Sequence, residues 1–408
     1  MDSLKNLGRF VDTVTRPAEP QWRDSARMAL YFFATLAAFN AVVWSPTGST
    51  GPDFDPIWNA VEKYVHGRPV YDEDYSTQDP HYLYSPGGTF LLAPIGLLPG
   101  RDDARTVMML LGAACIFGGL WLLARTVAQR WRGEVFAALV LVACVFKEPV
   151  VSTLTYTNIN GFLFLLEVIF AVLTVALLRR GVRQAQLRWE AVAAGVILGV
   201  AMTIKPQFVA LAGVSLLAGH FTVLAVAGLF MAAVFAAGWL TMSHPEYYVE
   251  RLVPYLGQAR DYNNGSIEGV ATQLGWSPAA TTVALVAMWV AVAFALAALW
   301  GHKQQVPVLW VYSTMAVLFA GVLMSTGLLQ GYYAIWLLPL MATVVMKDSP
   351  ARWPVMWLAW WCLTSAAAAP ENLWGETLLR WRSSLAWAGL PVIVAAWAVL
   401  VRRRGQRT

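Results

Sequence analysis

The run INGFLFLLEVIFAVLTVALL, residues 159–178, is twenty residues long and carries one charged side chain, Glu167. A helix needs roughly 20 mostly apolar residues to cross the hydrocarbon core of a bilayer, so this run reads as a transmembrane span. The same criterion applied outward places spans at 26–45, 104–124, 134–148, 190–204, 206–218 and 221–241. Further spans follow at 278–300, 307–326, 332–346, 353–369 and 384–401, which makes about twelve. The short pair 190–204 and 206–218 meets at Lys205-Pro206, where proline forbids a regular helix. These two are either separate spans or one broken, re-entrant pair, which is tolerated only where it lines a cavity.

Composition agrees. Of the 408 residues 58% are hydrophobic and 13% charged, about half of the roughly 25% charged content of soluble domains. Mean hydropathy is +0.53, and there are 20 tryptophans. Such values exclude a disordered chain. They also argue against a soluble enzyme or a nucleic-acid binder, despite a net charge of +5. The fold class expected is an all-α polytopic membrane protein, one domain over 1–408. Cys115, Cys144 and Cys362 lie in apolar runs without metal or disulfide spacing. The first 25 residues hold no apolar core of a cleavable signal peptide.

Basic residues set the orientation. Five Lys/Arg precede and include Arg27; Arg125, Arg130 and Arg132, then Arg179, Arg180, Arg183 and Arg188, follow in alternate connections. Lys303, Lys347, Arg352 and Arg402 to Arg404 continue on the same side. The tail 1–25 and both termini are therefore expected in the cytoplasm. Loops 46–103, 242–277 and 370–383 fall on the opposite face. The first has nine Asp/Glu against three Lys/Arg, and its aromatic, proline- and glycine-rich composition predicts packed structure.

Those loops carry the chemistry. In Gly51-Pro52-Asp53-Phe54-Asp55-Pro56, Asp55 reads as the N-cap and Pro56 as the first residue of a short amphipathic helix, ending near Gly67. Asp55 is then structural. Asp53 is either a turn residue or a general base for a hydroxyl nucleophile. The run Asp79-Pro80-His81-Tyr82-Leu83-Tyr84-Ser85-Pro86-Gly87-Gly88-Thr89 predicts an unusual backbone. Its histidine and tyrosines supply donors for a sugar or phosphate, or else are structural.

Thr157-Asn158-Ile159-Asn160-Gly161 crowns the span at 159–178. Asn158 and Asn160 must bond something, whether neighbouring helices or a ligand. Glu167 needs a partner inside the membrane, for which Lys205 is one candidate. Lys205 is equally suited to neutralise a phosphate. Arg260 either pairs with Asp261 or forks onto a phosphate, with Tyr262 beside it. Tyr332 and Tyr333, in Gln330-Gly331-Tyr332-Tyr333, suit an interfacial belt or a sugar pocket. Carboxylate, histidine, cations and aromatics thus converge on one membrane face. That suits an enzyme joining a lipid-borne activated group to a polar acceptor, whereas a transporter places such groups near the midplane.

In order and spacing, these motifs closely resemble the arabinofuranosyltransferase C family of mycobacteria and their relatives. The resemblance runs from about residue 25 to 400, and the DPHYLY-PGGT and TNING strings together are its specific part. It departs at Pro52, where the family pattern places a second acid beside the one matched by Asp53. The resemblance implies a GT-C type bundle with structured periplasmic loops, in the plasma membrane of an actinobacterium. It also implies an inverting transfer of arabinofuranose from decaprenyl-phosphoryl-arabinose to arabinan of arabinogalactan or lipoarabinomannan, with α-(1→3) branches. Asp53 would be the base, and Lys205, Arg260 and His81 would face the phosphate. Tyr82, Tyr84, Asn158, Asn160, Tyr262, Tyr332 and Tyr333 would complete the substrate site. No cofactor or metal is expected, nor a nucleic-acid partner; other cell-wall enzymes are candidate partners. The alternatives are a polyprenyl-phosphate-mannose-dependent mannosyltransferase, a transporter or flippase of a polyprenyl-linked sugar, and a scaffold in a cell-wall complex.

Overall fold

The computed structural model describes residues 22–77, 80–365 and 380–405. Asp79, the basic tail as far as residue 21 and most of the predicted 370–383 loop lie outside these residues. Among the described residues the regular structure is entirely helical. In chain order the first elements are α1 (Trp22–Phe39), α2 (Phe54–Val65), α3 (Pro86–Leu92), α4 (Arg101–Val127) and α5 (Arg132–Cys144). Next come α6 (Ser152–Thr155), α7 (Asn160–Leu178), α8 (Val182–Gln186), α9 (Trp189–Ile204), α10 (Val209–Ala218) and α11 (Phe221–Thr241). The chain ends with α12 (Val253–Leu256), α13 (Ile267–Leu274), α14 (Pro278–Leu299), α15 (Pro307–Met324), α16 (Leu338–Ala342), α17 (Pro354–Thr364) and α18 (Arg382–Gly405).

Among the described residues seven helices are long and apolar enough to cross a bilayer: α1 with its continuation to Trp44, α4, α7, α11, α14, α15 and α18. The pair Arg132–Cys144 and Lys147–Thr155, bent by 84°, is either a broken eighth span or a re-entrant loop. The protein is thus a multi-pass membrane protein, but the predicted count of twelve is not reached by length. The spans expected at 190–204, 206–218 and 332–346 are shorter apolar helices, and α17 has 11 residues. Hydropathy alone does not distinguish a helix facing lipid from one sealed inside protein: the 331–345 stretch is buried almost throughout, whereas α9, α10 and α17 keep apolar side chains such as Val192, Leu216 and Leu358 exposed. α15 lies at the centre, buried along nearly its whole length, against α7, α10, α14 and α18. On the other side α9 sits between α7 and α11, α4 packs on α7 and α5, and α1 leans on α5. α1 keeps Phe32, Phe33, Leu36 and Trp44 exposed, as a helix facing lipid can.

Two of the three expected loops, 46–103 and 242–277, hold helices. α2 buries Phe54, Pro56, Ile57, Ala60 and Val61 and gives way to Gly67 at φ +66°. Its N-cap is Asp53 rather than the predicted Asp55. Asp55 lies in the first turn, where Arg101 Nε donates to its Oδ1 at 2.6 Å, so it is the structural acid expected. The glycines of the 79–89 run serve packing rather than an unusual turn. Ser85 caps α3, accepting from the Gly88 N–H at 3.2 Å, and Pro86 occupies the first turn. α3 then lies flush on α11, where a Cβ on Gly238 would fall 2.2 Å from the Pro86 carbonyl oxygen. Small residues permit such close helix approach. Gly238→Ala should therefore cost about 1–3 kcal/mol through overpacking, seen as a lower melting temperature of the detergent-solubilised protein.

Candidate active site

Of the eleven residues expected at the substrate site, all but Asn160 line one cavity of about 790 Å³, and neither Glu167 nor Asp55 lines it. The volume falls within the range of roughly 300–1,000 Å³ usual for organic ligands. Its floor is assembled where four breaks in helical structure meet: the start of α2, the turn before α7, the Lys205-Pro206 break after α9, and the 3₁₀ stretch Gly331–Leu337.

Asp53 occupies the N-cap position of α2, yet its side chain makes no cap hydrogen bond. It is turned instead toward Asn158, whose Nδ2 donates to Asp53 Oδ2 at 2.7 Å. Asn158 Oδ1 accepts from the Asn160 N–H at 2.9 Å, and the two bonds together orient the amide. The preceding Thr157 has φ +54°, a conformation rare for a β-branched residue and a store of backbone strain. Arg105 Nε holds it by donating to Thr157 Oγ1 at 3.2 Å. Ser49 Oγ ties the two segments together, donating to the Thr155 carbonyl at 2.9 Å. The asparagines therefore do bond across elements, and one of them bonds the candidate base.

Lys205 is 7% exposed. Its Nζ donates to Asn160 Oδ1 at 2.7 Å and stands 4.6 Å from the Tyr333 ring centre, with Tyr332 and Trp336 at 5.8 and 5.7 Å. Tyr333 in turn stacks on Trp336 at 4.7 Å. An ammonium has three donors, and among the described residues only one finds a protein acceptor. Asn160 sits behind the cavity wall, wholly buried, and its Nδ2 has no acceptor among those residues. Lys205 is thus not the partner of Glu167, whose carboxyl oxygens are buried without a hydrogen bond among the described residues.

The Asp53 charge acts on Lys205, Tyr332, Tyr333 and Tyr84, so these groups form one electrostatic unit. Burial, reinforced by Tyr82 and Asp53, keeps the Tyr84 hydroxyl well above its ordinary range. It remains a proton donor for a bound sugar. The Arg260 guanidinium lies 4.6 Å from the Tyr262 ring and acts on Tyr333. Among the described residues Arg260 makes no ion pair with Asp261; its guanidinium lies over Tyr262 instead.

Two predicted ligands turn out to be wall supports. Both His81 nitrogens are engaged, Nδ1 with Glu73 Oε2 at 3.3 Å and Nε2 with the Thr77 carbonyl at 3.2 Å. The ring therefore has no free N–H for a phosphate. The Tyr82 hydroxyl is taken by Thr89 Oγ1 at 2.9 Å in a fully buried position. Conversely, the sequence reading passed over Glu148, whose side chain packs against Gly331 and whose charge couples to Asp53. A charged pair, Lys147-Glu148, inside an apolar run was the available signal. Tyr75, Tyr255 and Gln207 also line the cavity, and nothing in their local sequence marked them.

A family model described as glycosyltransferase family 87 matches residues 82–326. An α-(1→3)-arabinofuranosyltransferase of Corynebacterium glutamicum is 29% identical over 394 residues, covering 94% of this chain and 90% of that protein. Proteins of the same name are 33% identical in Mycobacterium tuberculosis, over 84% of this chain and 77% of theirs, and 32% identical in Mycolicibacterium smegmatis, over 84% and 78%. No solved structure matches the chain.

Proposed function

This chain belongs to glycosyltransferase family 87 and is a membrane-embedded glycosyltransferase; from that premise we propose that it transfers arabinofuranose in an α-(1→3) linkage to an arabinan acceptor. The donor is decaprenyl-phosphoryl-arabinose, and the acceptor belongs to arabinogalactan or lipoarabinomannan. The cavity opens on the periplasmic side of the plasma membrane, and both termini lie in the cytoplasm. The observation that carries this reading is the pairing in one cavity of an oriented, uncapped carboxylate, Asp53, with a buried cation that has unfilled donors, Lys205.

The reaction is a single in-line displacement, which inverts the anomeric centre. The acceptor 3-hydroxyl oxygen attacks the anomeric carbon while Asp53 takes its proton. The bond from the anomeric carbon to the phosphate oxygen breaks, and its electron pair leaves with the polyprenyl phosphate. Lys205 and Arg260 stabilise that charge in a site shielded from water. A phosphate leaves without being protonated, so no general acid is required. Asn158 keeps the carboxylate aimed, while Tyr84, Tyr332 and Tyr333 shape the sugar site.

The test offers purified protein in nanodiscs decaprenyl-phosphoryl-arabinose and decaprenyl-phosphoryl-mannose in parallel, with arabinan and mannoside acceptors. Arabinose transfer is expected, and it should persist at an unchanged rate in excess chelator because two protein cations serve the phosphate. Mannose transfer alone would assign the sister activity. Loss of transfer in chelator, restored by a divalent ion, would overturn metal independence. Transport of the intact lipid-linked sugar without transfer would favour the flippase reading.

A further inference from the structure

Charge divides the cavity into two parts. Around Asp53 the wall is cationic, with Lys205 and Arg260 acting on the tyrosines there. Along the loops the wall is aromatic and backed by acids. Tyr75 and Tyr255 pack with ring centres 5.2 Å apart, and the edge of His81 meets Tyr255 at 5.1 Å. The charged groups bearing on Tyr75 are Glu73, Asp72, which is ion-paired with Lys63, and Arg251. Arg251 is itself stacked 4.0 Å from the Tyr247 ring. The His81 to Tyr84 segment connects the two parts, since Tyr82 is coupled to Glu73 and Tyr75 at one end and touches Tyr84 at the other.

An anionic donor phosphate belongs at the cationic end. The acid-backed aromatic end disfavours it but suits a neutral glycan, whose ring C–H faces pack on aromatic faces while hydroxyls seek donors and acceptors. The Tyr75 hydroxyl is buried without a partner among the described residues, and Gln258 offers an amide on the same wall. Resting on the functional reading above, we propose that the Tyr75–Tyr255 wall is the acceptor subsite and holds the sugar next to the one that is glycosylated. The Tyr255 ring is the platform, and the Tyr75 hydroxyl is a hydrogen-bonding contact. These two residues set the enzyme's preference for acceptor length.

The experiment compares a mono-arabinoside with a longer oligo-arabinoside as acceptors for the full-length protein in nanodiscs. Y255A should raise KM for the longer acceptor about tenfold while KM for the donor moves less than twofold. The preference for the longer acceptor, read as the ratio of the two kcat/KM values, should fall by the same factor. Y255F, which keeps the ring, should retain the preference, and Y255L, which keeps bulk without the aromatic face, should lose it. Y75F should give a smaller loss, about threefold. A rise in donor KM, or an unchanged length preference in both Y255A and Y255L, would overturn the assignment. If the wild type transfers no arabinose, the functional reading falls first. Saturation-transfer NMR with the oligo-arabinoside alone then judges the subsite: signals lost in Y255L support it, and signals equal to wild type refute it.

Discussion

Asp53→Asn should lower kcat about a thousandfold, or about 4 kcal/mol of barrier, with donor KM changed by less than threefold. The substitution is isosteric. Its amide oxygen can still accept from Asn158 Nδ2, the bond that holds the native carboxylate at 2.7 Å, so cavity and fold should persist. What disappears is the ability to take the acceptor's proton as the hydroxyl attacks. The measurement is steady-state transfer alongside a melting curve of the same sample. A variant that keeps its melting temperature and more than a tenth of the wild-type kcat would remove Asp53 as base. Glu148, whose charge reaches the same site, would then be the carboxylate to replace.

Lys205→Met should lower kcat by a hundredfold to a thousandfold, the loss of roughly 3–4 kcal/mol expected when one preorganised charge stabiliser is removed. Donor KM should rise as well, because the phosphate carries charge before transfer. Stability is the discriminating readout. Replacing the buried ion by an apolar side chain of similar length relieves a desolvation cost but leaves the buried Asn160 Oδ1 without its donor, so the two offset and the melting temperature should change little. A structural lysine would behave oppositely, with transfer preserved and the melting temperature lowered. Lys205→Arg should recover only part of the rate. The space between Asn160 and the Tyr333 ring fits a compact ammonium, not a planar fork.

Both candidates stand out in the sequence alone, and for related reasons. A carboxylate just beyond an apolar span and a lysine where proline breaks one are chemically conspicuous, because burial of either needs a purpose. Their partners were not legible. Nothing in the TNING string says that Asn158 reaches Asp53, 105 positions away. Nor does local sequence show that Lys205 takes Asn160 rather than Glu167. His81 illustrates the reverse error: a polar aromatic neighbourhood suggested a ligand, while both ring nitrogens are consumed by the loop's own atoms.

The amino-acid sequence by itself determined the class of molecule, since hydropathy is a local sum and a twenty-residue apolar run crosses a bilayer whatever surrounds it. Charge in the connections, which is also additive along the chain, carries the expectation of which face holds the chemistry. Only the tertiary structure decided how many apolar helices are long enough to span. The shorter ones, α9, α10 and the 331–345 stretch, pack among longer helices; the 331–345 stretch is buried almost throughout, while α9 and α10 keep Val192, Val209 and Leu216 exposed. It alone decided the site as well. Asp53, Asn158, Lys205 and Tyr333 come from four separated segments that meet at one cavity, a convergence no local pattern encodes.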